Sequence, residues 1–291
     1  MDEYNKFGEA ALRIAKLGDK YQVDSIGQAI LAHLRTMWPT TLTDLLRMVK
    51  ARADWAKLYH TEEASYNQPL DSKLHLCESF PEPASAIRLA RDYDIPAILP
   101  AAFYILATSD PDAPWPDRGV FRGKKLLRTS VPANWALLED GDRLRLFRGR
   151  DRLRGLVLDI RDIFVNGILE FMGGRQCTGE WTFHDSGISD PFISEERQGA
   201  VKESSAVACE YAMKWYAKVF VDDIMRSHFK ARRSDPIRFL DDLAKGLHQR
   251  WLCSACLPSA RCVIERKILD IWRDLPWIFD LPGASTVRPK S

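Results

Sequence analysis

The sequence lacks a long apolar run, since none approaches the roughly 18–20 residues needed to cross a bilayer. Its first residues also lack the basic-then-apolar pattern of a secretory signal. Net charge is nearly absent, because Lys and Arg total 42 and Asp and Glu total 40, which leaves +2. Domains that bind nucleic acid usually carry a clear basic excess, so nucleic acid is disfavoured as a partner. We expect a protein of the cytoplasm or nucleus with no membrane partner.

Patterns typical of catalysis are absent as well. The chain contains no Gly-rich phosphate loop, no H-E-x-x-H metal motif, no G-x-S-x-G nucleophile turn and no kinase motif set. The residue types of a hydrolase triad stand together in His184-Asp185-Ser186, but adjacent residues of a loop do not form the triad geometry. We therefore predict a protein that is not an enzyme, with no catalytic residues.

Helical periodicity is what the sequence does contain. Apolar residues recur at helical spacing and convincing alternating strands are missing, so we predict an all-α fold. The start of one helix is indicated by Asp235-Pro236, because Asp favours the N-cap and Pro the first helical position. The predicted helices are two within 9–37 and one each near 41–59, 139–172, 203–229, 235–250 and 259–275. The apolar pattern of the one over 139–172 runs through Leu144, Leu146, Phe147, Leu153, Leu156, Ile160, Ile163 and Phe164.

A weak internal repeat predicts helical hairpins. Residues 17–26 align without gaps to residues 89–98, at an offset of 89 − 17 = 72. Each segment is predicted to be a helix, a short turn and a second helix, with the tyrosine of the turn, Tyr21 or Tyr93, packed in the elbow. Two copies are too few to predict a solenoid.

Proline and glycine divide the chain. Residues 108–138 contain four prolines and two glycines, which break helices, so this stretch is predicted to be a linker. We place a helical region at 1–107, the linker at 108–138, a C-terminal helical domain with a cysteine cluster at 139–281 and a disordered tail at 282–291.

The cysteines offer one candidate metal site. Cys253-Ser-Ala-Cys256 is a C-x2-C knuckle, a spacing that lets two thiolates converge on one tetrahedral ion. Two more ligands are needed, and spacing alone leaves two sets open, Cys177 with Cys209 or Cys262 with His248. Thiols that are buried without a metal are the competing interpretation. Of the six cysteines, only Cys77 belongs to neither set.

A basic run follows the linker. Its arginines are Arg143, Arg145, Arg148, Arg150, Arg152 and Arg154. Together with Lys124, Lys125 and Arg128 they are candidates for a surface that binds an acidic partner or nucleic acid. Aspartates of the same segment stand at helical pairing distances from several of them, so we predict a solvated helix face held by salt bridges.

Several segments together resemble the region after the BTB/POZ fold in fungal BTB-domain proteins. Residues 12–23 look like the last helical hairpin of a BTB domain. The pattern continues in Leu34–Pro39, Pro81–Pro96, 98–104, Leu146–Arg150, Cys209 with Trp215, and Leu252–Cys256. The resemblance covers about residues 9–280. The β-sheet and helices that precede this hairpin in a complete BTB domain have no counterpart in this sequence. We expect either that the sequence starts at an internal Met of a longer protein or that the protein is a truncated relative.

The resemblance implies both a ligand set and a function. Proteins of this group show two separated cysteines before a Leu-Cys-x-x-Cys element, which selects Cys177, Cys209, Cys253 and Cys256 as ligands of a structural Zn²⁺ that clasps the C-terminal half. The implied function is a non-catalytic protein-interaction module, a truncated adaptor, with partners in a ubiquitin-ligase or transcriptional complex. The alternative is a nucleic-acid-associated regulatory protein that uses the 143–154 basic stretch and a zinc-bound cysteine cluster.

Overall fold

The computed structural model describes residues 13, 14, 16–18, 20–51, 82–109, 133–173, 235–247 and 256–282, and only the backbone over 161–173. Within these ranges all regular secondary structure is α-helix or 3₁₀-helix, and no strand occurs. This confirms the all-α prediction. None of the helices in these ranges combines the length and apolar character that a bilayer span requires. The chain divides into two compact units, one formed by Met1–Arg150 with Arg273–Ser291 and the other by Asp151–Trp272.

The helices are labelled in chain order. They are α1 (Asp24–Met37), α2 (42–51), α3 (Pro83–Asp92), α4 (Leu99–Thr108), α5 (Asp140–Gly173), α6 (Pro236–Gly246) and α7 (Cys256–Ile278). Helical residues also occur at 13, 14, 16–18 and 20, before a turn at 21 and 22. Short 3₁₀ turns at Pro96–Ile98 and Trp135–Leu137 precede α4 and α5. The helix predicted over 203–229 lies outside the described residues.

Polar caps set the start of two helices. At α6 the side chain of Asp235 accepts a hydrogen bond from the backbone N–H of Arg238 at 2.9 Å, and Pro236 is the first helical residue. This confirms the start predicted from Asp235-Pro236, because the cap satisfies a backbone donor that the first turn leaves free. At α3 the carboxylate of Glu82 plays the same part before Pro83.

The end of α3 is a tight C-terminal cap. The N–H of Tyr93 bonds to the carbonyl of Leu89, and the N–H of Ile95 bonds back to the carbonyl of Ala90 at 2.8 Å. Asp94 between them has a φ of 49°, in the left-handed region. This arrangement is a Schellman motif, in which a left-handed residue turns the chain and satisfies the last carbonyls of the helix.

The same cap follows the helical residues 16–18 and 20, at the position that the repeat predicts. The N–H of Val23 bonds to the carbonyl of Gly18 at 2.8 Å, and Gln22 has a φ of 55°. The repeat is therefore real at the level of backbone geometry. The expected packing of its tyrosine is wrong for Tyr21, which is 66% exposed, whereas Tyr93 is half-buried.

Helix α4 forms the centre of the first unit. Almost every side chain along it is buried, as expected for a helix that is apolar on all sides. The ring of Phe103 lies 5.5 Å from the ring of Phe279, which follows α7. The Phe279 ring also packs against the backbone of α5 at Gly149. A Cβ atom added at Gly149 would lie only 2.0 Å from that ring.

In the second unit, apolar faces of three helices are buried. The guanidinium of Arg261 in α7 donates to the carbonyl of Leu247, 3.2 Å away, and so ties α7 to the end of α6. The buried side chains are Leu153, Val157, Ile160, Ile237, Phe239, Leu240, Leu243, Leu247, Leu257, Ala260, Ile264, Ile268 and Ile271.

Candidate interaction surface

The predicted zinc ligands fall mostly outside the described residues. Cys177, Cys209 and Cys253 lie there, as does His248 of the competing set. Cys256 is the first residue of α7 and is half-buried. Within the ranges that the structure covers, no group of three His, Cys, Asp or Glu side chains is placed to hold a metal ion. The zinc site therefore stays a prediction, and Cys256 is its only predicted ligand with a described position.

Cys262 of the competing set lies in α7, six positions after Cys256, and its side chain is exposed. Side chains that share one face of a helix stand three, four or seven positions apart. An offset of six places the two thiols on different faces of α7. To bind one ion, the two thiols would require the α7 backbone to depart from regular helical geometry. This geometry disfavours Cys256 and Cys262 as ligands of the same ion.

Two arginines of the basic run form ion pairs at helical spacing. Arg143 lies 3.4 Å from the carboxylate of Asp140, and Arg145 lies 3.1 Å from that of Asp142. These pairs confirm the prediction of a helix face with salt bridges. The Arg143–Asp140 pair is exposed and contributes little stability, whereas the carboxylate of Asp142 is buried. Both pairs neutralise charge that would otherwise attract an anion.

Other arginines of the run reach different elements of the first unit. Arg145 donates from Nε to the carbonyl of Asp280 at 3.3 Å, and Arg148 lies 3.8 Å from the Asp280 carboxylate. Arg150 donates to the carbonyl of Ser109 at 3.2 Å. These cations hold α5 against the ends of α4 and α7, a structural use that the sequence pattern did not reveal.

Asp142 is the buried centre of this network. Its side chain is only 5% exposed and accepts from Arg91 of α3 at 3.0 Å as well as from Arg145 at 3.1 Å. A buried carboxylate is stable when it is paired and hydrogen-bonded, as it is here. The pair with Arg91 also joins the start of α5 to α3, which Arg88 and Glu139 join a second time.

The carboxylate of Glu82 also joins two segments of the first unit. It accepts hydrogen bonds from the backbone N–H groups of Ala84 at 2.8 Å, of Ser85, and of Asn134 at 3.0 Å. Burial raises the pKa of Glu82 above its usual value, although its hydrogen bonds with the Ser85 side chain and with the three N–H donors act in the opposite direction. Because Asn134 is one of the donors, this carboxylate ties the segment before α5 to the start of α3.

Two large apolar side chains are exposed on α5 beside the arginines. Leu144 is 50% exposed and Phe147 is 62% exposed. Residues three positions apart share a helix face, so the two side chains are neighbours. The side chains of Arg143 and Arg148, beside them, are 46% and 57% exposed. We call these four residues the Leu144–Phe147 face: an apolar centre with basic flanks.

The helix under this face is firmly held. Leu146, on the opposite side of α5, is 1% exposed, and Gly149 lies directly against the ring of Phe279. The apolar pattern that predicts this helix includes Leu144 and Phe147 together with buried Leu146 and Leu153, so the pattern alone does not separate exposed residues from buried ones. The signal that separates them is phase, because buried Leu146, Leu153 and Gly149 follow one stripe and the exposed pair lies on the other side of the helix.

Comparison of the chain with the models of known protein families, with curated proteins and with solved structures finds no match. The resemblance to BTB-domain proteins stays a prediction from the sequence. Chemically, the described surface offers apolar contact with basic flanks.

Proposed function

We propose that this protein is a non-catalytic protein-interaction module that uses the Leu144–Phe147 face. The observation that carries the proposal is the exposure of Leu144 and Phe147 on a helix whose other side is buried. Exposed apolar side chains that cluster on a rigid element are typical of protein-binding surfaces, and aromatic side chains are frequent anchors of such surfaces.

The exposed fractions indicate how much binding such an anchor supports. Full burial of a Leu or Phe side chain contributes about 1.5–3 kcal/mol. Scaled by the 50% and 62% that remain exposed, covering Leu144 and Phe147 contributes roughly 2–3 kcal/mol. Loss of both contacts would then weaken a complex by about 30-fold to 150-fold.

Affinity capture with quantitative mass spectrometry tests this proposal. Leu144→Asp combined with Phe147→Asp should lose a defined protein that the unmodified chain retains, because two charges would be buried against the partner. Leu158→Asp is the matched control, since Leu158 is also on α5 and is 48% exposed. Equal recovery of every protein by the double variant and the control would contradict the proposal.

Nucleic acid is the competing partner class, through the 143–154 basic stretch. The pairing of Arg143, Arg145, Arg148 and Arg150 with carboxylates and carbonyls of the chain leaves less charge for phosphates. A gel-shift assay with DNA and RNA at low salt separates the two classes. Salt-dependent binding that is lost in Arg152→Ala with Arg154→Ala would favour the regulator over the interaction module.

We further propose kinship with fungal BTB-domain proteins and a role as an adaptor in a ubiquitin-ligase or transcriptional complex. The sequence resemblance is the support for this proposal. Co-purification with a cullin or with a transcriptional co-repressor would identify the complex. Recovery of neither, with a different partner bound at the Leu144–Phe147 face, would retain the interaction module and reject the adaptor role.

The zinc clasp is a separate proposal. Cys177, Cys209, Cys253 and Cys256 would hold one structural Zn²⁺ as thiolates, with no open coordination position. Elemental analysis should find close to one zinc per chain, lost in Cys253→Ser and kept in Cys77→Ser. Zinc loss in Cys262→Ser with retention in Cys177→Ser would select the competing ligand set instead.

A further inference from the structure

The same helix C-terminal cap occurs three times in the described residues, and its surroundings differ between the copies. Its pattern is a leucine, an aromatic residue four positions later, a left-handed polar residue and then an aliphatic residue. The three copies are 17–23, 89–95 and 275–281, with left-handed residues Gln22, Asp94 and Asp280. In each copy the N–H of the aliphatic residue closes the same six-residue turn onto a helix carbonyl. The backbone of the motif is therefore constant, and its environment can be compared directly.

The second and third copies lie in the core of the first unit. Leu89 and Ile95 are buried in the second copy, and Leu275 and Leu281 are buried in the third. Helices cover both copies. The second packs on α4, and the aromatic residue of the third, Phe279, lies between Phe103 of α4 and Gly149 of α5.

The first copy is exposed at the same positions. Leu17 is 52% exposed, Tyr21 is 66% exposed and Val23 is 38% exposed, and Ile14 beside them is 46% exposed. In the other two copies the corresponding leucine and aliphatic residue are buried. We call these four side chains the 14–23 surface. Three of them, Leu17, Tyr21 and Val23, belong to a motif that helices cover twice elsewhere in this chain.

Two lysine side chains border the 14–23 surface. On a helix with 100° per residue, Lys16 and Lys20 lie on one stripe, and Ile14 and Leu17 lie on the adjacent stripe. Both lysines are exposed. The ammonium group of Lys20 lies 5.5 Å from the centre of the Tyr21 ring, which places a cation directly on the apolar surface.

We propose that the 14–23 surface binds an acidic amphipathic helix of a partner protein. Its apolar side chains would cover Leu17, Tyr21 and Val23 as α4 and α5 cover the other copies, and its carboxylates would face Lys16 and Lys20. Charge decides between this occupant and a second copy of the chain, since two such basic surfaces would repel each other. The proposal concerns different residues from the Leu144–Phe147 face and stands or falls without it.

Fluorescence anisotropy with a defined probe tests the proposal on the full chain. The probe is a labelled synthetic helix of about 18 residues with leucines at i, i+3, i+4 and i+7 and glutamates beside them. We expect saturable binding that weakens about tenfold or more in Leu17→Asp and in Lys16→Glu with Lys20→Glu. The Lys16→Glu, Lys20→Glu variant should fold as the unmodified chain does, because both lysine side chains are exposed. Circular dichroism checks that its helix content is unchanged. Leu158→Asp should bind the probe as the unmodified chain does.

Three outcomes would overturn the proposal. The first is equal binding of a control peptide that carries lysines in place of the glutamates. The second is no saturable binding of the acidic peptide, or binding that neither variant alters. The third is flotation with phosphatidylserine vesicles that Leu17→Asp abolishes while the acidic peptide fails to bind, which would assign the surface to an anionic membrane.

Discussion

Replacement of Gly149 by alanine tests how closely α5 packs in the first unit. A Cβ atom added at Gly149 would lie 2.0 Å from Cδ1 and 2.2 Å from Cε1 of Phe279. Carbon atoms in favourable contact are about 3.5–4.0 Å apart, so the ring would have to move. Phe279 has little room to do so, because it is 0% exposed and its ring lies 5.5 Å from that of Phe103.

Two effects of opposite sign set the magnitude. Alanine is better than glycine in a helix interior by about 1 kcal/mol, which stabilises the variant. Extra volume in a packed core costs about 1–3 kcal/mol, and a clash this severe belongs at the upper end. We therefore expect Gly149→Ala to lower the free energy of unfolding by about 2 kcal/mol. Gly155→Ala on the same helix meets no atom within 4 Å and should raise it by about 0.5–1 kcal/mol.

Urea unfolding followed by tryptophan fluorescence measures both variants. A change in stability moves the midpoint while the slope of the transition is unchanged. In a Phe279→Leu background the cost of Gly149→Ala should shrink, because the smaller side chain leaves space for the new methyl group. A midpoint that rises in Gly149→Ala as much as in Gly155→Ala would refute the packing of Phe279 on α5.

Two further predictions concern buried carboxylates and are checked by the same unfolding assay. Asp142→Asn should lower the free energy of unfolding by about 1–3 kcal/mol, because Arg91 and Arg145 lose their anionic hydrogen-bond partner. Asp140→Asn, whose side chain is 98% exposed, should change it by less than about 0.5 kcal/mol, and equal effects would contradict the network. Because burial raises the pKa of Glu82, the stability that its protonation adds is present below about pH 4.5 and is lost as the pH rises through the raised pKa. The stability of the wild type relative to Glu82→Gln should therefore fall as the pH rises, and a difference that is constant or rises with pH would contradict this.

Helices with local signals were predictable from the sequence. The periodic stretch 139–172 corresponds to α5 at Asp140–Gly173, and the Asp-Pro pair at 235 and 236 marks the start of α6. Caps and periodicity act within a few residues, so they can be read without knowing the fold. The turn at 89–95 was predictable for the same reason, as was its counterpart at 17–23.

The surfaces were harder to predict because they depend on contacts between distant residues. The role of Gly149 becomes visible only when Phe279 is placed against it, and that contact fixes which face of α5 is buried. Leu144 and Phe147 satisfy a helical period as well as buried residues do, so composition alone could not identify them as exposed. The exposure of Tyr21 was missed for a similar reason, since a repeat predicts a turn but not what covers it.

Site-specific photo-crosslinking in cells is the most direct test of the protein-interaction proposal. A photoreactive phenylalanine analogue at position 147 should yield a defined adduct with another protein, sensitive to protease and resistant to nuclease, and Leu144→Asp should remove it. The same analogue at position 158, where Leu158 is 48% exposed on the same helix, should yield no such adduct. Matching adducts from both positions, or a nuclease-sensitive adduct at 147, would contradict the assignment of the Leu144–Phe147 face to a protein partner.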